Sequence, residues 1–176
     1  METLGVEKLM RHPIVTLIVV SLVILVGSCG RPPSPLSTTP EEAFEDFLTN
    51  DERAEDQLMD PLILAGDDVV PLVLEAIADS EFPRRRYAIH FLGNGRYAEA
   101  TEVLLGILHN SEERDYFRGD ALAALNQIDS SLAQGLAEDY LERTDYLGRR
   151  ARNIADGEDE YWYQRSYDDA LRGRHD

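Results

Sequence analysis

The stretch DDVVPLVLEAIADSEFPRRRYAIHFLG, residues 67–93, is followed by YAEATEVLLGILHNSEERDYFRGDALAALN, residues 97–126, and the two read as one helix pair written twice. Arg85 and Arg118, Ala88 and Ala121, and Leu92 and Leu125 are each 33 residues apart. Leu72 and Val103, Leu74 and Leu105, and Ile77 and Leu108 are each 31 apart. The difference falls between the helices, in NSEERD (residues 110–115), where a loop absorbs it. Self-similarity at this period, without strand-like alternation, predicts an all-α fold: a short α-α superhelix of about three helix pairs plus end caps. In the first copy Leu72, Val73, Ala76 and Ile77 are expected to face inward, with Asp67 or Asp68 as cap. Ala88, Phe91 and Leu92 form the core edge of the return helix, which Gly93-Asn94-Gly95 ends. The second copy places Val103, Leu104, Ile107 and Leu108 opposite Phe117, Ala121, Leu122 and Leu125. A weaker third copy, Ser131 to Ala155, offers Leu132, Leu136, Ala137, Tyr140 and Leu141, then Arg149, Arg150, Ala151 and Ile154.

The 176 residues carry a formal charge of −17, and its distribution matters. In residues 1–28 Glu2 and Glu7 cancel Lys8 and Arg11, so the whole excess lies beyond them. Such an acidic surface repels phosphate backbones, which argues against nucleic acid as a partner. The lone cysteine, Cys29, has no second thiol in the chain to pair with, so the apolar core must hold the fold.

Residues 1–29 have three parts: a basic start (Lys8, Arg11, His12), an apolar run from Ile14 to Val26, and the small residues Gly27-Ser28-Cys29-Gly30. As a helix the run spans about 20 Å, against a hydrocarbon core of ~30 Å, so it fits an export signal better than a membrane span. Val26-Gly27-Ser28-Cys29 resembles the lipobox of bacterial lipoproteins, with valine where leucine is usual. That resemblance implies cleavage before Cys29, acylation of its thiol and new amino group, and a membrane anchor made of covalent lipid. It also implies an outer-membrane location facing the periplasm, because Gly30 is not the aspartate that retains many such proteins at the inner membrane. An uncleaved anchor, or an ordinary signal with an incidental cysteine, are the alternatives.

Residues 29–40 continue as a tether: Arg31 to Pro40 holds four prolines and almost no apolar side chains, so it reads as a solvated spacer. Residues 41–66 read as a capping helix pair. Thr39 caps, Pro40 takes the first helical position, and Ala43, Phe44, Phe47 and Leu48 make an apolar stripe. A second helix is expected from Glu52 to Met59, with Pro61 restarting it and Gly66 as the stop.

Residues 67–155 are similar to HEAT repeats of the short bacterial type, with arginine, then alanine, then Leu-Gly on the second helix (Arg85, Ala88, Leu92-Gly93). The resemblance implies that an aspartate closing the first helix and an arginine of the second form a structural ladder, here Asp79 with Arg85, and Arg118 one copy later. Arginine at a helix start opposes the dipole, so Arg84, Arg85, Arg86, Arg118, Arg149 and Arg150 need a reason. One is this ladder; the other is a basic row able to grip a partner's carboxylates. Arg84 and Arg86, extra to the ladder, are the stronger interface candidates, together with Tyr87, His90 and Trp162. Residues 156–176 are an acidic break and an aromatic segment (Tyr161, Trp162, Tyr163, Tyr167). That segment either covers the open end of the stack or anchors another protein.

No nucleophile elbow, phosphate loop or pair of metal-spaced histidines occurs. The expectation is therefore a non-catalytic scaffold with no cofactor or metal, binding an envelope protein. The alternative is an accessory or regulatory subunit of an envelope enzyme, contributing to a small-ligand pocket near His90 and Tyr87.

Overall fold

Thr39 opens the first helix by a reciprocal exchange: its Oγ1 accepts from the Glu42 N–H at 3.2 Å, while Glu42 accepts from the Thr39 N–H at 2.9 Å. The computed structural model describes residues 39–158 and 166–172, all of them helix, turn or loop with no strand. The expected export segment, Cys29, the expected tether through residue 38, and Trp162 lie outside those residues.

Helix α1 (Pro40–Thr49) buries Ala43 and Phe47. The helix expected over residues 52–59 does not form beyond a single 3-10 turn, Glu55–Gln57. Glu52, Ala54, Glu55 and Asp56 are exposed, and only Met59 at the end of the segment reaches the core, so a helix here has no continuous apolar face to bury. It is instead drawn back onto α1, where Asp46 receives Arg53 at 2.6 Å and the Asn50 amide at 3.0 Å. Helix α2 (Asp60–Ala65) carries Pro61 in its first turn and stops at Gly66, whose φ of 69° suits glycine. Neither Asp67 nor Asp68 caps α3 (Val70–Ile77). A 3-10 turn over Gly66–Val69 leads directly into it, and Pro71 removes one of the donors a cap would serve.

Helix α4 (Arg85–Asn94) ends one residue later than its glycines indicate. The Tyr97 N–H donates to Leu92 O at 3.1 Å and the Arg96 N–H to Gly93 O at 2.9 Å. This Schellman pair puts Arg96, not a glycine, in the left-handed region at φ 55°. Gly95 has ordinary helical φ and serves sterically: a Cβ there would lie 2.0 Å from Tyr97 Cε2. Then come α5 (Thr101–His109) and α6 (Asp115–Ile128). Asp129 caps α7 (Ser130–Ala137), and Asp145 caps α8 (Tyr146–Ala155). Gly157 closes α8 at φ 72°, and α9 (Tyr167–Arg172) follows.

Helices α3 and α4, α5 and α6, and α7 and α8 pack as pairs, and α6 lies between α4 and α8. That central place explains why every residue of α6 from Phe117 to Leu125 is buried, including Arg118 and Asp120. Ile77, Leu92, Leu104, Leu108, Leu122, Leu125 and Leu147 form the continuous core, each worth about 1.5–3 kcal/mol of burial. Successive pairs share a polar contact. Arg85 Nε donates to Ile77 O, and Arg118 Nε donates to Leu108 O, both at 2.8 Å. Helix α9 packs against α2, with Ala170 fully buried. The last described helix therefore lies on the first pair, not beyond the third. No helix among the described residues is long and apolar enough to cross a membrane.

Candidate functional site

Three helices converge on one carboxylate. Asp120, in the middle of α6, is fully buried. Arg86 and His90 stand one turn apart on α4, and Tyr146 and Arg150 one turn apart on α8, so each pair presents one face to α6. Arg86 Nε donates to Asp120 Oδ2 at 2.9 Å, and His90 Nε2 lies 3.4 Å from the same oxygen. On the other side Tyr146 Oη donates to Oδ1 at 2.6 Å, and Arg150 Nη2 stands 3.9 Å away. The Tyr146 hydroxyl accepts in turn from Arg150 Nε at 3.1 Å.

The backbone makes room for this arrangement. A Cβ on Gly119 would lie 2.5 Å from Tyr146 Cδ1, so only glycine lets the ring reach α6. The Tyr146 N–H, at the start of α8, donates to Asp115 Oδ2 at 2.9 Å and fixes the register of the two helices. Outside the buried carboxylate, the guanidinium carbons of Arg149 and Arg150 lie 5.0 and 5.4 Å from the Tyr146 ring centroid.

Burial acts to raise the Asp120 pKa, but hydrogen bonding and charge from His90, the Tyr146 hydroxyl and the Arg86 guanidinium outweigh it, leaving the acid below the usual carboxylate range. For Tyr146, burial comes first and the Asp120 charge second, and both raise its pKa. Burial opposes the Arg86 cation, yet the Asp120 charge raises its pKa overall. Asp120 is thus the common acceptor for donors from both flanking helices. Its physical role is to hold two arginines and a tyrosine in fixed positions.

The residues singled out from the sequence divide into three groups. Arg84 is buried, donating to Phe47 O, to Asn50 O at 3.1 Å and to Asp51 at 2.6 Å. It closes the carbonyl end of α1, so it is not an exposed contact for a partner. His90 is fully buried behind Asp120 and presents no surface either. Arg86 keeps 37% of its side chain exposed, and Tyr87 is half-buried with its hydroxyl on Glu55 at 2.8 Å. Arg85 and Arg118 make the structural contacts already described, but Asp79 is not the carboxylate partner of Arg85. Asp79 turns to its own loop, accepting from the Glu81 N–H at 2.9 Å, and the buried Glu113 pairs with Arg85 instead. A loop-end aspartate satisfies the local backbone first, leaving the guanidinium to an acid from the next pair.

Asp120 and Tyr146 were not singled out by sequence reasoning. Their signal is an acid embedded in the run Ala121-Leu122-Ala123-Ala124-Leu125, with polar i, i+4 pairs on the neighbouring helices. A cavity of about 350 Å³ opens elsewhere, lined by Asp67, Val70, Arg96, Tyr97 and Glu99 among others, and not by Tyr87 or His90. Among the described residues no three metal-ligating side chains cluster. Comparison with protein families, with curated proteins and with solved structures finds no match for this chain.

Proposed function

We propose that this chain is a membrane-tethered, non-catalytic protein-binding scaffold of the bacterial envelope, a short HEAT-like superhelix held by lipid on Cys29. The observation that carries the scaffold reading is the repeated pairing of α3 with α4 and of α5 with α6, each closed by the same guanidinium-to-carbonyl contact, with α4, α6 and α8 packed in a row. Stacked pairs of this kind offer an extended face for another polypeptide. The anchor rests on the basic start, the apolar run and Val26-Gly27-Ser28-Cys29, with the periplasmic face of the outer membrane as destination. A proline-rich tether at about 3.1 Å per residue would stand the helices clear of the lipid surface.

The test is intact mass of the protein made with its own signal in a bacterial host, combined with crosslinking in membranes. The expected product lacks residues 1–28 and is heavier than the remaining chain by its acyl groups. Cys29→Ser should abolish both processing and membrane retention. A native mass without lipid, or equal membrane retention of Cys29→Ser, removes the anchor. Absence of any crosslinked protein removes the scaffold.

A further inference from the structure

Most arginines among the described residues are committed within the chain. Arg84, Arg85, Arg118 and Arg152 serve main-chain carbonyls, and Arg53 and Arg143 serve acids of their own segments. The row of second helices differs. Arg86 donates its Nε to Asp120, also meets the Tyr146 hydroxyl, and keeps 37% of its side chain exposed. Arg149 is exposed, lies 5.0 Å over the Tyr146 ring, and forms no ion pair among the described residues. Arg150, buried beneath, adds a third positive charge at the same ring. Against these stand Asp120, buried; Asp115, occupied by the Tyr146 N–H; and Asp145, paired with Arg143. The patch is cationic on a protein of charge −17, and both of its exposed guanidinium groups are held in place, Arg86 by Asp120 and Arg149 by the ring.

We propose that Arg86 and Arg149, set around the Tyr146–Asp120 pair, are the recognition point for carboxylates of an acidic peptide segment in the partner protein. This rests on the scaffold reading and names the chemistry of its partner. A guanidinium fork whose position is already fixed loses little freedom on taking a carboxylate, which is the physical advantage of arginine at such a point. The size of the partner follows from screening. Beyond a Debye length of about 8 Å the surrounding acids are felt only weakly, so a narrow peptide meets mainly the local positive charge. An extended anionic surface such as a membrane meets the whole acidic protein and is repelled.

The experiment uses the full chain in detergent and a fluorescein-labelled Glu/Ser peptide, with the matching Gln/Ser peptide as control, read by anisotropy. The Glu peptide is expected to bind and the Gln peptide not to. Affinity should fall by about tenfold or more in Arg149→Glu, less in Arg149→Ala, and also on raising salt. Helical circular dichroism should stay unchanged in both Arg149 variants, because Arg149 contributes only its stacking on Tyr146. Arg86→Lys, which keeps the charge and loses the fork, should weaken binding with the fold intact. Equal binding of the Glu peptide by native protein and Arg149→Glu would overturn the assignment, as would failure of the peptide to bind. Displacement of the peptide by inorganic phosphate or anionic vesicles as readily as by free Glu peptide would also overturn it, in favour of a general anion site. Membrane crosslinks that persist unchanged in Arg149→Glu would sink this inference while leaving the scaffold standing; their absence in the native protein would sink the scaffold itself.

Discussion

Tyr146 donates its hydroxyl to Asp120 at 2.6 Å, and this bond joins α8 to α6 at the one fully buried acid among the three second helices. Tyr146→Phe removes a hydrogen bond to an ionised, desolvated acceptor and leaves Oδ1 facing Arg150 at 3.9 Å. The expected loss is about 1.5–3 kcal/mol in urea unfolding. Asp120→Ala should cost more, about 3–5 kcal/mol, because it breaks the buried pair with Arg86 and removes the acceptor of Tyr146 together. If Asp120→Ala proved no worse than Tyr146→Phe, the carboxylate would not be the organising charge.

The same acid sets the low-pH behaviour. Its folded pKa lies below its unfolded value of about 3.9, so its stabilisation is fully present above that pH and is lost as pH falls through the folded value. Asp120→Asn should therefore be less stable at neutrality yet lose less stability on acidification below about pH 4. Tyr146 supplies the opposite limb. With its pKa raised by burial, the unfolded chain releases the phenolic proton first, and stability should fall as pH rises above about 10. In Tyr146→Phe that alkaline contribution should vanish. Urea midpoints across pH, native against variant, decide both points.

The two equivalent arginines are not energetically equal. Arg85 serves Ile77 O and the buried Glu113, whereas Arg118 serves Leu108 O and stacks on Tyr140 at 5.6 Å. Arg85→Ala strands a buried carboxylate, for an expected loss of about 3–5 kcal/mol. Arg118→Ala strands a carbonyl, for about 1–3 kcal/mol. The double variant Arg85→Ala/Glu113→Ala should recover part of the first loss, and a strictly additive double variant would rule out the coupling.

Helix α4 has one residue that works against its own stop. Arg96 occupies the left-handed region where glycine is unstrained, so Arg96→Gly should raise stability by about 0.5–1 kcal/mol. Gly95→Ala places a methyl group against the Tyr97 ring and should cost about 1–3 kcal/mol. Most of that cost should be relieved in Gly95→Ala/Tyr97→Ala. Thermal unfolding of the four proteins is sufficient.

The helix pairs were legible because their two offsets carry direct structural meaning. Arg85 and Arg118 differ by 33 and Ile77 and Leu108 by 31, and these are the donors and acceptors of the matching contacts. Residues 52–59 look helical by residue type, but residue type does not say whether a face can be buried; Arg53 on Asp46 decides the path there. Asp120 escaped notice because −17 of charge makes a single aspartate unremarkable until the helices on either side are placed. Gly95 looks like the left-handed stop but has ordinary helical φ and answers to sterics, while Arg96 takes the left-handed conformation. Asp79 was assigned a partner by resemblance, and Glu113 takes that partner instead. Val26-Gly27-Ser28-Cys29 and Trp162 fall outside the described residues.

Because α9 rests on α2, a contact of very large sequence separation ties the carboxyl-terminal helix to the opening pair. An open array can fray from either terminus independently, but this closure makes loss of one terminus a loss at the other. Clipping the chain after residue 158 should loosen residues 60–65, read as faster amide exchange there, before it loosens α8. It also raises the contact order, so folding should be slower than the local helix pairs alone would allow.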